Sequence, residues 1–149
     1  MAIIPNKADG EILYAKDLFR IPDSNNESLV IASSTTETTL GSLVIPADSV
    51  TSGCLVLASL NGHHTAAAEA RTATFNLKAG SPTDESTAKT ITFVTGTSSD
   101  SAGDFGGAIV YWLTGQTWTD PVSILVTGTN SHNSPDAYCR VEGLTAIAL

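Results

Sequence analysis

The 149-residue sequence predicts an all-β, antiparallel sandwich, and three observations carry that prediction. Ser and Thr fill about a quarter of the chain while charged residues make up 15%, against roughly 25% in an average soluble domain. Short apolar segments recur at regular spacing, and clusters of Gly, Pro, Asn and Ser separate them. Threonine is stiff at χ1 and suits a pleated, half-wet surface, whereas exposed helices draw on Lys, Glu, Gln and Arg, which are scarce here. A chain of this length encloses one core, so one domain is expected.

Residues 1–27 read as an N-terminal arm, with two prolines (Pro5, Pro22) and the polar cluster Asp23 to Glu27. Within the arm, Ala15 to Ile21 reads as a turn or two of helix with Leu18, Phe19 and Ile21 as anchors. That helix stops before Pro22, because a residue preceding proline avoids the helical region. A helix so short needs a surface to dock on.

Residues 28–149 read as the sandwich. Leu29 to Ala32 and Leu40 to Ile45 are the first two strands, the second closed by Pro46-Ala47-Asp48-Ser49. Cys54 to Leu60 is a continuous apolar run, which predicts a strand buried on both faces. Arg71 to Ala79 alternates, with Ala73, Phe75, Leu77 and Ala79 on one side and Thr72, Thr74, Asn76 and Lys78 on the other. Lys89 to Val94 comes next with Ile91 and Phe93 inward, then the loop Gly96 to Asp104. Ala108 to Leu113 is the sixth strand, preceded by Gly106-Gly107, which admits a bulge or a close backbone approach. Val122 to Thr127 is the seventh. Tyr138 to Ile147 is the eighth, with Cys139, Val141 and Ile147 on one face and Arg140, Glu142 and Leu144 on the other. Eight strands of this kind favour an eight-stranded antiparallel jelly-roll sandwich carrying an extended N-terminal arm with a short helix.

The formal net charge is −8 and seven Lys and Arg are scattered along the chain, so no basic stripe is available to neutralise phosphates and no nucleic-acid partner is expected. No apolar run has the roughly 18 to 20 residues of a spanning helix, and the start of the chain lacks a signal-peptide pattern. The expectation is a protein made in a cytoplasm with no membrane partner.

Several stretches resemble jelly-roll accessory virion proteins of tailed bacteriophages. They are Leu43 to Gly53 with its Ile45-Pro46-Ala47 turn, the strand Cys54 to Leu60, Thr74 to Gly80, Phe105 to Leu113 and, in the arm, Gly10 to Phe19. The resemblance implies a non-enzymatic virion structural protein. In its decoration form the protein binds the major capsid protein on the capsid surface, stabilises the shell and forms a homo-oligomer, a trimer. The arm residues Ile3, Ile4, Ile12, Leu13, Tyr14, Leu18, Phe19 and Ile21 are then the contact residues, since apolar anchors on an arm order on binding and wrap over a neighbour. A tail-fibre or tail-tip protein that binds carbohydrate or receptor is the alternative.

His63 and His64 are the most tempting pair for metal or acid–base chemistry, but neighbours on a strand point to opposite faces, and no third nearby ligand completes a set. A contact role in a surface loop is expected for both. His132 sits in a turn-like loop. Asp100 and Asp104 place two oxygen ligands on one loop, as calcium requires, yet lack the further carboxylates of an EF-hand, so a solvated loop is expected. Trp118 lies in a loop and is the exposed aromatic anchor for glycan or protein, whereas Trp112 is expected in the core. Cys54 and Cys139 are read as reduced packing thiols, with one bridge left open. There is no GxSxG elbow, no Cys-His motif and no phosphate loop. No catalytic residue, metal site or cofactor is expected, and a cupin-like metal enzyme is the third class.

Overall fold

The computed structural model describes residues 19–21, 35–65, 70–94, 103–131 and 137–148. They form two antiparallel sheets and contain no helix. The strands are β1 (Phe19–Ile21), β2 (Thr38–Ile45), β3 (Cys54–His64), β4 (Thr72–Ser81), β5 (Asp84–Val94), β6 (Gly103–Leu113), β7 (Val122–Asn130) and β8 (Tyr138–Ala148). One sheet has the order β1-β8-β3-β6 and the other β2-β7-β4-β5. The pairings β1·β8, β2·β7, β3·β6 and β4·β5 join each strand to the one equally far from the opposite end. The chain therefore runs as one long antiparallel ribbon wrapped into two sheets, with β3·β8 and β4·β7 closing them.

Seven of the eight expected strands are present as β2 to β8; the one expected at Leu29 to Ala32 lies outside the described residues. The helix expected over Ala15 to Ile21 is corrected where it is described. Phe19, Arg20 and Ile21 pair with Ala148, Ile147 and Ala146 instead. Seven residues cannot offset the cost of helix nucleation, while the edge of β8 supplies backbone partners at once.

The core lies between the sheets. β4 behaves as its period-two pattern predicts, with Ala73, Phe75, Leu77 and Ala79 buried and Thr72, Thr74, Asn76 and Lys78 half-buried on the far side. Two strands depart from expectation. In β3 one face is buried, through Cys54, Val56, Ala58, Leu60, Gly62 and His64, while Leu55 and Leu57 are half-exposed and Ser59 is exposed. In β8 the register with β3 shifts where Ser59 faces Gly143 and Leu60 faces Val141. The extra residue, Glu142, is a bulge that reverses the phase of the residues after it. Leu144 is consequently buried and Ile147 half-exposed, the opposite of the sequence expectation.

The glycines before the sixth strand belong to it: β6 starts at Gly103, and a Cβ on Gly107 would come within 2.9 Å of the Phe93 ring. That is the close approach which glycine permits. Cys54 and Cys139 are both buried, and neither is in a disulfide. They sit beside opposite ends of β3, because Cys139 faces Gly62, eight residues from Cys54, or about 27 Å at the rise of a strand. That separation closes the question of a bridge. Burial pushes the Cys54 thiol up to about 11, so it stays protonated and acts as a small apolar residue.

Candidate binding face

The two outward faces of the sandwich differ in chemistry. On the sheet β2-β7-β4-β5, Thr129, Thr74 and Thr92 stand in one row and Thr127, Asn76 and Thr90 in the next. Glu37 binds this face together. Its carboxylate accepts from Thr127 Oγ1 at 2.6 Å, Lys78 Nζ at 2.8 Å and Asn76 Nδ2 at 3.0 Å. These bonds, that to Lys78 foremost, hold the Glu37 carboxyl down to about 2. A hydroxylated surface of this kind is readily hydrated.

The face of β1-β8-β3-β6 is divided in two. At one end, Ile147, Leu55 and Trp112 form a row, next to Thr145, Leu57 and Val110 and then to Gly143, Ser59 and Ala108. Val110 is 66% exposed and Trp112 43%. A shallow depression of about 260 Å³ lies among Leu57, Ser59, Ala108, Val110, Gly143 and Thr145. The apolar run that predicted burial on both faces of β3 thus has a second face that no strand of the described residues covers.

At the other end the same strands carry a polar cluster. His63 Nδ1 lies 3.0 Å from Asp104 Oδ1, and the His63 ring stacks on Tyr138 with centroids 6.2 Å apart. The Arg140 guanidinium is 5.7 Å from the centre of the Tyr138 ring, donates from Nε to Asn61 Oδ1 at 2.6 Å and meets Glu142 at 2.6 Å. Asn61 Nδ2 also donates to Glu142. Both signs of charge are represented and mutually satisfied on an open sheet. Asp104 lies within hydrogen-bond distance of the His63 imidazole and so holds its ring orientation.

His63 and His64 lie in β3, not in the expected loop, and point to opposite faces. Trp118 and Trp112 exchange roles. Trp118 is half-buried and packs against the core, because its loop is tied down by Asp48 N–H donating to the Trp118 carbonyl at 2.8 Å. Asp48 sits at φ 57°, a conformation that Asp tolerates. Trp112 is the exposed indole, on the outward phase of β6. Phe19 and Ile21 lie on β1, against the last strand. Ile3, Ile4, Ile12, Leu13, Tyr14, Leu18, Asp100 and His132 lie outside the described residues, while Asp104 is part of the polar cluster. Among the described residues no three His, Cys, Asp or Glu side chains come together as a metal ligand set, and no helix is long and apolar enough to cross a membrane.

His64 is fully buried against Phe105, with ring centroids 4.7 Å apart, and neither ring nitrogen has a hydrogen-bond partner among the described residues. Burial, then the charges of Arg71 and His63, lower its pKa from the usual histidine value. The unfolded chain therefore binds a proton that the folded chain refuses. This contribution to stability is intact above about pH 6.5 and falls as pH drops below it, by at most about 1.4 kcal/mol per pH unit. In thermal melts between pH 7.5 and pH 5, the wild type is expected to lose more than His64→Phe, which keeps the aromatic volume and removes the proton site. Parallel losses in the two proteins would contradict this account.

No family model matches the chain, and no curated protein does. Among solved structures, a chain of the T13 IBDV viral particle is similar with a TM-score of 0.46 and 15% identity, over 87% of this chain and 30% of its own length. A chain of the infectious bursal disease virus VP2 subviral particle is similar with a TM-score of 0.42 and 17% identity, over 89% of this chain and 30% of its own. This chain thus matches under a third of the length of either.

Proposed function

We propose that the chain is a non-enzymatic virion structural protein of a tailed phage, a capsid decoration protein in which residues 1–27 are an arm that also lends β1 to the first sheet, and residues 28–149 form the rest of the jelly roll. The observation that carries this reading is the contrast between its two outer faces. One is a hydrated threonine surface; the other offers Trp112, Val110, Leu55 and Leu57 at one end and a satisfied polar cluster at the other. Aromatic and aliphatic anchors with a polar rim are what a protein–protein contact uses. The strand order, in which β1 pairs with β8 and β4 with β5, is that of two Greek keys closed on each other, and the sequence resemblance to phage virion proteins adds the setting. In this reading the arm residues Ile3 to Ile21 contact the major capsid protein on the capsid surface. The protein is a homo-oligomer, three-fold by that resemblance, and repeated weak contacts across the shell act through multivalency.

The test is removal of residues 2–18 from the chain, leaving β1 in place. The circular dichroism spectrum and melting temperature are expected to stay as in the full chain. Co-sedimentation with shells of the major capsid protein of the same phage is expected to fall at least about tenfold, the equivalent of about 1.4 kcal/mol. Undiminished co-sedimentation would contradict the role of the arm. The tail-fibre reading keeps one observation on its side, the exposed indole of Trp112, whose flat apolar face suits stacking on a sugar. Reproducible binding on a glycan array, lost in Trp112→Ala, would favour it.

A further inference from the structure

Among the described residues the sandwich has four edge strands, β1, β6, β2 and β5, and three of them are blunted in the usual ways. β1 is three residues long. β2 is eight residues long with a register shift between Thr39 and Gly41. β5 carries Asp84, Glu85 and Lys89 and has a register shift against β4. Short length, charge and bulges all discourage pairing with another chain.

β6 has none of these protections. It is eleven residues long, with the sequence Gly-Asp-Phe-Gly-Gly-Ala-Ile-Val-Tyr-Trp-Leu, and holds one charge, no lysine and no proline. Its register against β3 runs without a break from Cys54 opposite Leu113 to His64 opposite Gly103. At the end of its sheet, its outer edge pairs with no strand among the described residues. A long, regular, apolar edge of this kind is a template for a further strand.

We propose that the further strand is β6 of a second copy, paired antiparallel about a two-fold axis at Ile109, so that two four-stranded sheets become one of eight strands. The order of side-chain sizes selects this occupant. In that register, residues equally far from Ile109 face each other, so Trp112 of one copy lies opposite Gly106 of the other and Val110 opposite Ala108. Each large outward side chain meets a small one, twice over, by symmetry. A large aromatic laid over a strand glycine is a recognised stabilising pair. Gly106 has the room, since a Cβ there would touch nothing closer than 3.4 Å. The depression beside Ala108 and Ser59 lies one residue pair further along the same face, where an indole on the neighbouring strand leans.

Charge favours the same register. Each chain carries a net −8, so two copies repel except across a strip free of charge. Between Phe105 and Leu113, β6 is such a strip. The Asp104 side chains of the two copies lie ten residues apart along the pair, or about 33 Å, well beyond the Debye length at physiological salt. The contact is isologous and closes on itself, giving a discrete particle instead of a filament.

The experiment is sedimentation velocity on the full chain, beside Val110→Lys and Val110→Thr, without any capsid protein, so that it stands apart from the test of shell binding. Val110 is exposed, and either substitution leaves the core untouched. The wild type and Val110→Thr are expected to sediment as an even-numbered particle, a dimer, or a hexamer if three-fold contacts are also made. Val110→Lys is expected to halve that number while keeping the wild-type circular dichroism spectrum, by placing two like charges at the centre of the pair. As a check on register, chains carrying Val110→Cys and Ala108→Cys, mixed and oxidised, are expected to give the mixed disulfide dimer, whereas Thr92→Cys on the opposite sheet is not. A wild type that remains a monomer or a trimer, or a Val110→Lys protein with unchanged mass, would overturn the proposal.

Discussion

Phe75→Ala is expected to cost about 3–5 kcal/mol, a large share of the roughly 5–15 kcal/mol by which a domain of this kind is stable. Phe75 is fully buried on β4 and is the hub of the aromatic layer that joins the two sheets. Its ring meets Phe93 of β5 edge-on, with centroids 5.8 Å apart and planes at 88°, and Phe105 of β6 at 6.3 Å and 69°. Phe93 and Phe105 stack at 5.0 Å. Truncation removes the ring from between two sheets that are held apart by their other core residues, so the space cannot collapse and the cavity cost adds to the lost transfer energy. In urea, the midpoint is expected to fall while the slope stays as in the wild type. A loss below about 1 kcal/mol would mean that the layer does not couple the sheets as described.

Gly62→Ala is expected to rank next, at about 3 kcal/mol, the upper end of what overpacking costs. Gly62 is buried in β3, and a Cβ there would collide with the Phe105 ring and with the Tyr138 carbonyl oxygen. The aromatic ring is held by Phe75 and Phe93, and the carbonyl belongs to the backbone of β8, so neither yields easily. Gly143→Ala is the control. A Cβ at Gly143 meets nothing within 4 Å, so its effect is expected to stay within about 0.5 kcal/mol. Equal melting temperatures for the two variants would contradict the packing described at the polar end of β3.

How much of this was legible in the sequence depended on whether the signal was local. β4 was readable because its two faces carry different chemistry in strict alternation, and the structure buries Ala73, Phe75, Leu77 and Ala79 as the pattern requires. β3 was not, because hydropathy reports that Leu55 and Leu57 are apolar without saying whether this chain or another covers them. In β8 a single inserted residue, Glu142, moves Leu144 inward and Ile147 outward, and nothing in the composition marks a bulge. The two tryptophans exchange roles because a loop position does not by itself bring exposure, nor a strand position burial. The loop of Trp118 folds back onto the Pro46–Ser49 turn, a contact set by tertiary structure. The Glu37 cluster joins residues 39 to 90 positions apart, and the pairing of His63 with Asp104 depends on the register of β3 against β6. Neither has a signature short enough to appear in a window of sequence.

Electron cryo-microscopy of the full chain added to shells assembled from the capsid protein of its own genome addresses the proposed role most directly. The account predicts a two-sheet density seated on the shell, with the arm or the face bearing Trp112, Val110 and Leu57 at the contact and the threonine face of β4 and β7 turned to solvent. Bare shells, or a chain seated through its threonine face, would contradict it.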